Sequence, residues 1–248
     1  MILRSGYPLW LIKNGLPFSY PKLDHSINVD VVIMGGGISG ALTAYYLQKA
    51  GIECVIVDGR TIGLGSSCAS TSLLQYELDV PLSVLKNKIG LEKAVRSYKL
   101  CEESISKLGD IANEISFNEF DYRGSLYYAA NKKDENFLKE EYNIRKENGF
   151  NVTYLVKEDV YNDYNIKVPA AILSSAGAKT NAYNFTHAIL QHCLHSGMKV
   201  YDRTAIKKIT HSKSDVKLIT ESGYKLTAKK LIYATGYEVV KLYRKEDS

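Results

Sequence analysis

Gly35-Gly36-Gly37-Ile38-Ser39-Gly40 has the spacing G-x-G-x-x-G, and Asp58 follows 23 positions after Gly35. Each residue type in that pattern has a physical use. Gly35 permits a tight turn, and Gly37 has no Cβ, so a diphosphate can approach the backbone. Gly40 lets a helix pack close to a sheet. The start of that helix offers free N–H groups and a partial positive charge to phosphate. Asp58 is placed to accept hydrogen bonds from ribose hydroxyls, and its charge would repel a 2′-phosphate, which disfavours NADP. The chemistry implied is dinucleotide binding. An ordinary βαβ unit with a glycine turn is the bland alternative.

The flanking residues supply the elements such a site needs. Val29 to Met34 is apolar except for Asp30 and reads as a buried strand. Leu42, Tyr45, Tyr46 and Ala50 recur at helical spacing, and Gly51 closes that helix. Cys54 to Val57 is a second apolar strand that delivers Asp58. Strand, turn, helix, strand and acid thus come in the required order within about 30 residues.

Further along, Thr61 to Ser72 is dense in glycine and hydroxyl side chains, as a loop or helix start would be. A nicotinamide site gives no reason for that composition directly after the acid. Lys230 to Gly236 reads as a strand ending in Ala234-Thr235-Gly236. Asp58-Gly59-Arg60, followed by Ile62-Gly63-Leu64-Gly65-Ser66-Ser67-Cys68-Ala69-Ser70-Thr71, resembles the FAD-dependent oxidoreductases of the D-amino-acid oxidase and glycine/sarcosine oxidase superfamily. The arm containing Trp10-Leu11 and Tyr20-Pro21-Lys22-Leu23 is similar to a bacterial branch of that family.

The resemblance implies an α/β fold: a Rossmann-like FAD-binding domain of glutathione-reductase type with an α+β substrate domain inserted. It implies FAD held by Gly35, Gly36, Gly37, Ile38, Ser39, Gly40, Asp58, Gly59, Arg60, Gly65, Ser66, Ser67, Ser70, Thr71, Ala234, Thr235 and Gly236. Thr204-Ala205-Ile206 matches a family pattern whose last residue pairs with adenine through its backbone, so Ile206 joins the set. The organisation implied is an arm over 1–28, a discontinuous FAD domain over 29–115 and 182–248, and a partial substrate domain over 116–181. The activity implied is oxidation of a small amine or amino acid at a C–N bond, by hydride transfer to the flavin.

The sequence stops at Ser248, twelve residues past Gly236, where relatives continue with the rest of the substrate domain and a third glycine-rich segment. No catalytic residue carries over. Cys68, Ser72 and Gln75 stand where some relatives have histidine or arginine. Two other readings stay open: a non-catalytic nucleotide-binding fragment, and an NAD-dependent dehydrogenase.

Composition narrows the classes. Among 248 residues, 32 basic and 27 acidic side chains give a net charge of +5. The lysine pairs 132–133, 207–208 and 229–230 lie far apart, so no basic arm points to nucleic acid. The four cysteines form no C-x-x-C, which suits a reducing cytoplasm. Tyr7 to Ile12 contains Pro8 and is too short for a signal peptide, and no apolar stretch reaches the ~18 residues of a membrane span. His192 and His195 are helical neighbours, but a metal would need a third ligand, and no metal is expected.

The remaining elements follow from periodicity. An apolar stripe from Leu85 to Ile111 predicts one or two helices over 83–115. A hairpin is expected around Arg123-Gly124, then a charged helix over 133–149 with Phe137, Tyr142 and Ile144 inward. Tyr122, Tyr127 and Tyr128 read as core more readily than as substrate contacts. Strands are expected at Val152 to Val156, Ala170 to Ser174 and Lys199 to Ile209, a helix over 182–197, and a hairpin around Ser222-Gly223.

Overall fold

The computed structural model describes residues 6–236. In chain order the elements are α1 (Leu9–Asn14), β1 (Ile27–Met34), α2 (Ile38–Lys49), β2 (Cys54–Val57), β3 (Leu73–Gln75), α3 (Leu82–Ile89), α4 (Leu91–Glu114), β4 (Phe120–Tyr128) and α5 (Glu135–Glu147). There follow β5 (Val152–Val156), α6 (Lys157–Tyr164), β6 (Ala170–Thr180), α7 (Ala182–His195), β7 (Lys199–Tyr201), β8 (Ile206–His211), β9 (Val216–Thr220) and β10 (Lys225–Tyr233). They divide into two compact units. One takes the chain up to Thr71 and from Asn181 onward; the other is Ser72–Thr180.

The first unit holds a six-stranded sheet in the order β7-β2-β1-β10-β9-β8. β7, β2, β1 and β10 run parallel, whereas β10, β9 and β8 form an antiparallel meander. This is the α/β architecture expected. Val32, Ile33, Ile56 and Val57 have no exposed surface. Each such side chain contributes about 1.5–3 kcal/mol by leaving water.

α2 buries Gly40, Ala41, Ala44 and Tyr45. Tyr46 and Ala50, expected to face inward, are exposed. The helix sits so close to the sheet that small residues select its inner face. The run from Lys199 to Ile209 is also not one strand. β7 pairs with β2, and β8 lies at the far edge beside β9. Between them Arg203 takes φ 47°, a left-handed conformation that no continuous strand contains.

In the second unit β6 is central, with β4 on one side and β5 and β3 on the other, all antiparallel. The expected hairpin at Arg123-Gly124 is instead one strand. The register shifts between Arg123 and Ser125, so Gly124 sits at a β-bulge rather than a turn. Leu82, Ala94, Tyr98 and Ile105 share a buried cluster with Leu138, Phe150 and Ile172. The helices of 83–115 therefore pack within this unit, and the division falls at Thr71/Ser72, where the sequence reading drew it after residue 115.

α5 buries Leu138, Glu141, Ile144 and Arg145, while Phe137, expected inward, is exposed. The charged pair rotated that stripe. Arg145 Nε donates to Glu141 Oε1 at 2.7 Å and its Nη1 donates to Glu77 Oε1 at 3.1 Å. The Glu141 carboxylate also accepts the N–H groups of Leu82 and Ser83, at 2.9 and 2.7 Å, and so caps α3. Burial alone would raise its pKa. The bonds from Ser83 and the charge of Arg145 outweigh burial and hold it below the usual carboxylate value. Arg145→Ala strands that carboxylate in the core and is expected to cost about 3–5 kcal/mol in urea unfolding. A loss below about 1 kcal/mol would show that Glu141 is otherwise satisfied.

In the first unit, α7 carries a buried histidine that the sequence did not single out. His187 Nδ1 lies 2.9 Å from the Tyr20 hydroxyl, and its ring meets those of Tyr20, Phe18 and Tyr183. Gln191 Nε2 donates to the same hydroxyl, so Tyr20 donates to His187 and leaves Nε2 without a partner. Burial lowers the imidazole from 6.5 to about 4. The unfolded chain takes up this proton first, so the neutral ring's contribution is complete above pH 6.5 and is lost as pH falls toward about 4. That window is worth up to about 3 kcal/mol. Unfolding free energies at pH 7 and 4.5 should differ less in His187→Phe than in the unsubstituted protein.

Candidate functional site

The carboxyl ends of three adjacent parallel strands, β2, β1 and β10, meet at one place. The chain leaves β1 at Gly35 with φ 117°, its N–H donating to the Val57 carbonyl at 2.8 Å. A Cβ at Gly35 would lie 2.5 Å from the Ala234 carbonyl oxygen, so β10's end closes on the turn. Ala234 N–H in turn donates to the Met34 carbonyl at 2.8 Å.

Asp58, half-buried at the end of β2, holds that turn. Its Oδ2 accepts Gly36 N–H at 2.7 Å and its Oδ1 accepts Arg60 N–H at 2.8 Å. A Cβ on Gly36 would collide with the Ile62 side chain, and one on Gly40 with the Gly35 carbonyl. α2 thus starts in contact with the loop that feeds it. Its N-cap is Gly37, whose side chain can make no capping bond, and no acid lies in its first turn. Ser39 and Gly40 present N–H groups that have no acceptor within the helix. This arrangement favours an anion.

The Ser66–Ala69 segment is one 3₁₀ turn that lies against the helix start. Buried Ser67 accepts Ile38 N–H on its Oγ at 2.9 Å, and a Cβ on Gly37 would sit 3.0 Å from that oxygen. Ser66, Ser70 and Thr71 are exposed around it, and Gly65 is half-buried. Cys68 is buried, its Sγ donating to the Gly65 carbonyl at 3.1 Å. Thr204 N–H donates to the Asp58 carbonyl at 2.7 Å, and a Cβ on Gly59 would rest 3.4 Å from Ala205. Ile206 follows at once, as the first residue of β8. Beyond Ala234, the Thr235 hydroxyl is buried with no hydrogen-bond partner among the described residues, and Gly236 has φ 62°. The expected residues therefore lie around one strand-end region.

The sequence alone assigns no role to Ile62, Trp10 or Arg203. Ile62 fills the space a side chain on Gly36 would take. Trp10 donates its indole N–H to the Ser70 carbonyl at 2.8 Å. The resemblance of the arm places Trp10 in it, but names no partner for its indole. Among the described residues no group of three His, Cys, Asp or Glu is placed to hold a metal ion. His195 is exposed, its Nδ1 2.7 Å from the Gln191 carbonyl, and His192 lies beside the Tyr45 ring. No helix among the described residues is long and apolar enough to cross a membrane.

This chain is similar to several known proteins. A Bacillus subtilis (strain 168) protein, YhfW, named for a Rieske 2Fe-2S iron-sulfur centre, is 23% identical over 231 residues, 92% of this chain and 44% of that one. Gamma-glutamylputrescine oxidoreductase of Escherichia coli (strain K12) is 25% identical over 224 residues, 87% of this chain and 50% of that one. The crystal structure of glycine oxidase from Geobacillus kaustophilus superposes with a TM-score of 0.74 at 20% identity, covering 89% of this chain and 58% of that one. The chain spans about half the length of the curated relatives it matches. The model of the DAO family, FAD dependent oxidoreductase, matches residues 30–246. Nearly the whole chain falls within that match, and it belongs to the DAO family of FAD dependent oxidoreductases.

Proposed function

We propose that this chain is the FAD-holding part of an oxidoreductase that oxidises a small amine or amino acid at its C–N bond. What carries the reading is the convergence of the Gly35–Gly40 turn, Asp58 and the Thr235 hydroxyl at the carboxyl ends of β2, β1 and β10. An open sheet binds its ligands there. The buried, unpartnered Thr235 oxygen fits a polar cofactor lying against it. The family match favours FAD over a nicotinamide cofactor.

In this reading the N–H groups of Ser39 and Gly40 face the diphosphate, with Gly36, Gly37 and Ile38 forming the backbone beneath it. Asp58 holds the ribose, flanked by Gly59 and Arg60. The backbone of Ile206 pairs with adenine. Gly65, Ser66, Ser67, Ser70 and Thr71 line the chain of the cofactor, and Ala234, Thr235 and Gly236 its far side. When bound, FAD supplies the two-electron oxidation, by hydride transfer from the carbon beside nitrogen. Ser72–Thr180 would form part of the substrate-binding domain. The amine or amino-acid substrate class follows the names of gamma-glutamylputrescine oxidoreductase and glycine oxidase. A reducing cytoplasm accords with four cysteines that form no disulfide.

Gly37→Ala tests the cofactor site. Gly37 has φ −84°, which alanine adopts freely, and its added methyl group meets only the Ser67 hydroxyl, at 3.0 Å. The thermal midpoint of the apoprotein should stay within about 2 °C, a change below 1 kcal/mol. Affinity for FAD, read from its visible bands on titration, should fall at least about tenfold, the equivalent of 1.4 kcal/mol. Equal affinity in the two proteins would put the diphosphate elsewhere. An unsubstituted protein that gains no flavin bands would overturn the reading itself.

A further inference from the structure

The arm before β1 is tied to the site region from two sides. Trp10 donates its indole N–H to the Ser70 carbonyl at 2.8 Å, inside the Ser66–Thr71 stretch, where Ser67 and Cys68 are buried and the other residues exposed. The neighbouring arm residues anchor that contact on α7: Asn181 Nδ2 donates to Asn14 Oδ1 at 3.0 Å, and the Tyr183 hydroxyl to the Gly15 carbonyl at 3.0 Å. Further on, Arg203 Nη2 donates to the Tyr20 carbonyl at 2.9 Å and Asp202 N–H to the Pro21 carbonyl at 3.1 Å. Leu23 N–H donates to Thr204 Oγ1 at 3.1 Å. That same turn reaches the acid-bearing loop, through Thr204 N–H to the Asp58 carbonyl and Arg203 N–H to the Arg60 carbonyl at 3.0 Å.

We propose that the arm from Pro8 to Leu23 is a clamp that holds both banks of the FAD site, and that Trp10 is a positioning residue for its Ser66–Thr71 bank. The inference rests on the FAD reading above. The physical reason is pre-organisation. Ser66, Ser70 and Thr71 are exposed, and each would lose freedom on closing around a ligand. A bond from a residue 60 positions away fixes that backbone before the ligand arrives. The second bank needs the same help, because Arg203 sits at φ 47° and the arm's Tyr20 carbonyl is one of the groups that keep it there.

The test compares Trp10→Phe with Ile12→Ala, a substitution at an exposed position of the same arm. Backbone hydrogen exchange over 66–71 in the apoprotein should quicken in Trp10→Phe and not in Ile12→Ala. The dissociation constant for FAD, read from flavin fluorescence, should rise about two- to tenfold in Trp10→Phe, the worth of one hydrogen bond. Trp10→His restores a ring N–H and should recover part of that affinity, which separates the bond from loss of packing if Trp10→Phe also lowers the thermal midpoint. Affinity unchanged in Trp10→Phe, or exchange over 66–71 unchanged, overturns the clamp. If the unsubstituted protein binds no FAD, the functional reading fails and the FAD role of the arm falls with it. The exchange comparison then still decides, separately, whether Trp10 holds the loop.

Discussion

Between Gly35 and Gly40 the chain reverses with its helix start pressed against its own turn. A methyl group on Gly40 would overlap the Gly35 carbonyl, and one on Gly35 would meet the Ala234 carbonyl at 2.5 Å. Backbone touches backbone at both points, so no rotamer change could make room. That contact sets where α2 begins and how close it lies to β1, and the helix buries Gly40, Ala41, Ala44 and Tyr45. It also fixes the direction in which the uncapped N–H groups point. The bareness of this helix end is therefore a consequence of packing, because the small residues that seat the helix also leave its N-terminus uncapped.

Asp58 shows how one side chain can tie two turns together. Its two oxygens draw in the N–H groups of Gly36 and Arg60, on the turns that follow two neighbouring strands. A neutral side chain of the same size would hold those turns by weaker bonds, since charge-assisted bonds are roughly twice as strong as neutral ones.

The glycine turn, the two strands around it and Asp58 were legible because their causes are local. Apolar β-branched residues, glycines and an acid act within about 30 positions of one another. The failures have non-local causes. Arg123-Gly124 has the composition of a turn, yet β6 pairs with residues on both sides of it, and the long partner strand turns it into a bulge. Lys199 to Ile209 looks like one strand, yet β2 and β9 claim its two halves at opposite edges of the sheet, so it breaks at Asp202–Ala205. Phe137 reads as an inward residue, yet Arg145 turns inward to Glu77 and Glu141 to the N–H groups of Leu82 and Ser83. In each case a partner distant in sequence overrode a local preference.

The arm is the clearest case of information that a linear reading cannot supply. Its prolines and aromatics describe an arm that packs on a folded body, and nothing in its composition says where or that Leu9–Asn14 is helical. Only the fold reveals that Tyr20, Pro21 and Leu23 meet the Asp202–Thr204 turn, and that this turn is bonded to Asp58 and Arg60. The strain at Arg203 explains why the arm is needed there. A non-glycine residue at φ 47° persists only where surrounding bonds over-determine it. Here Arg203 is held through its own N–H on Arg60 and its guanidinium on the Tyr20 carbonyl and on Asp202. The turn that carries Ala205 against Gly59 thus keeps its shape because the arm and the acid-bearing loop grip it from opposite ends.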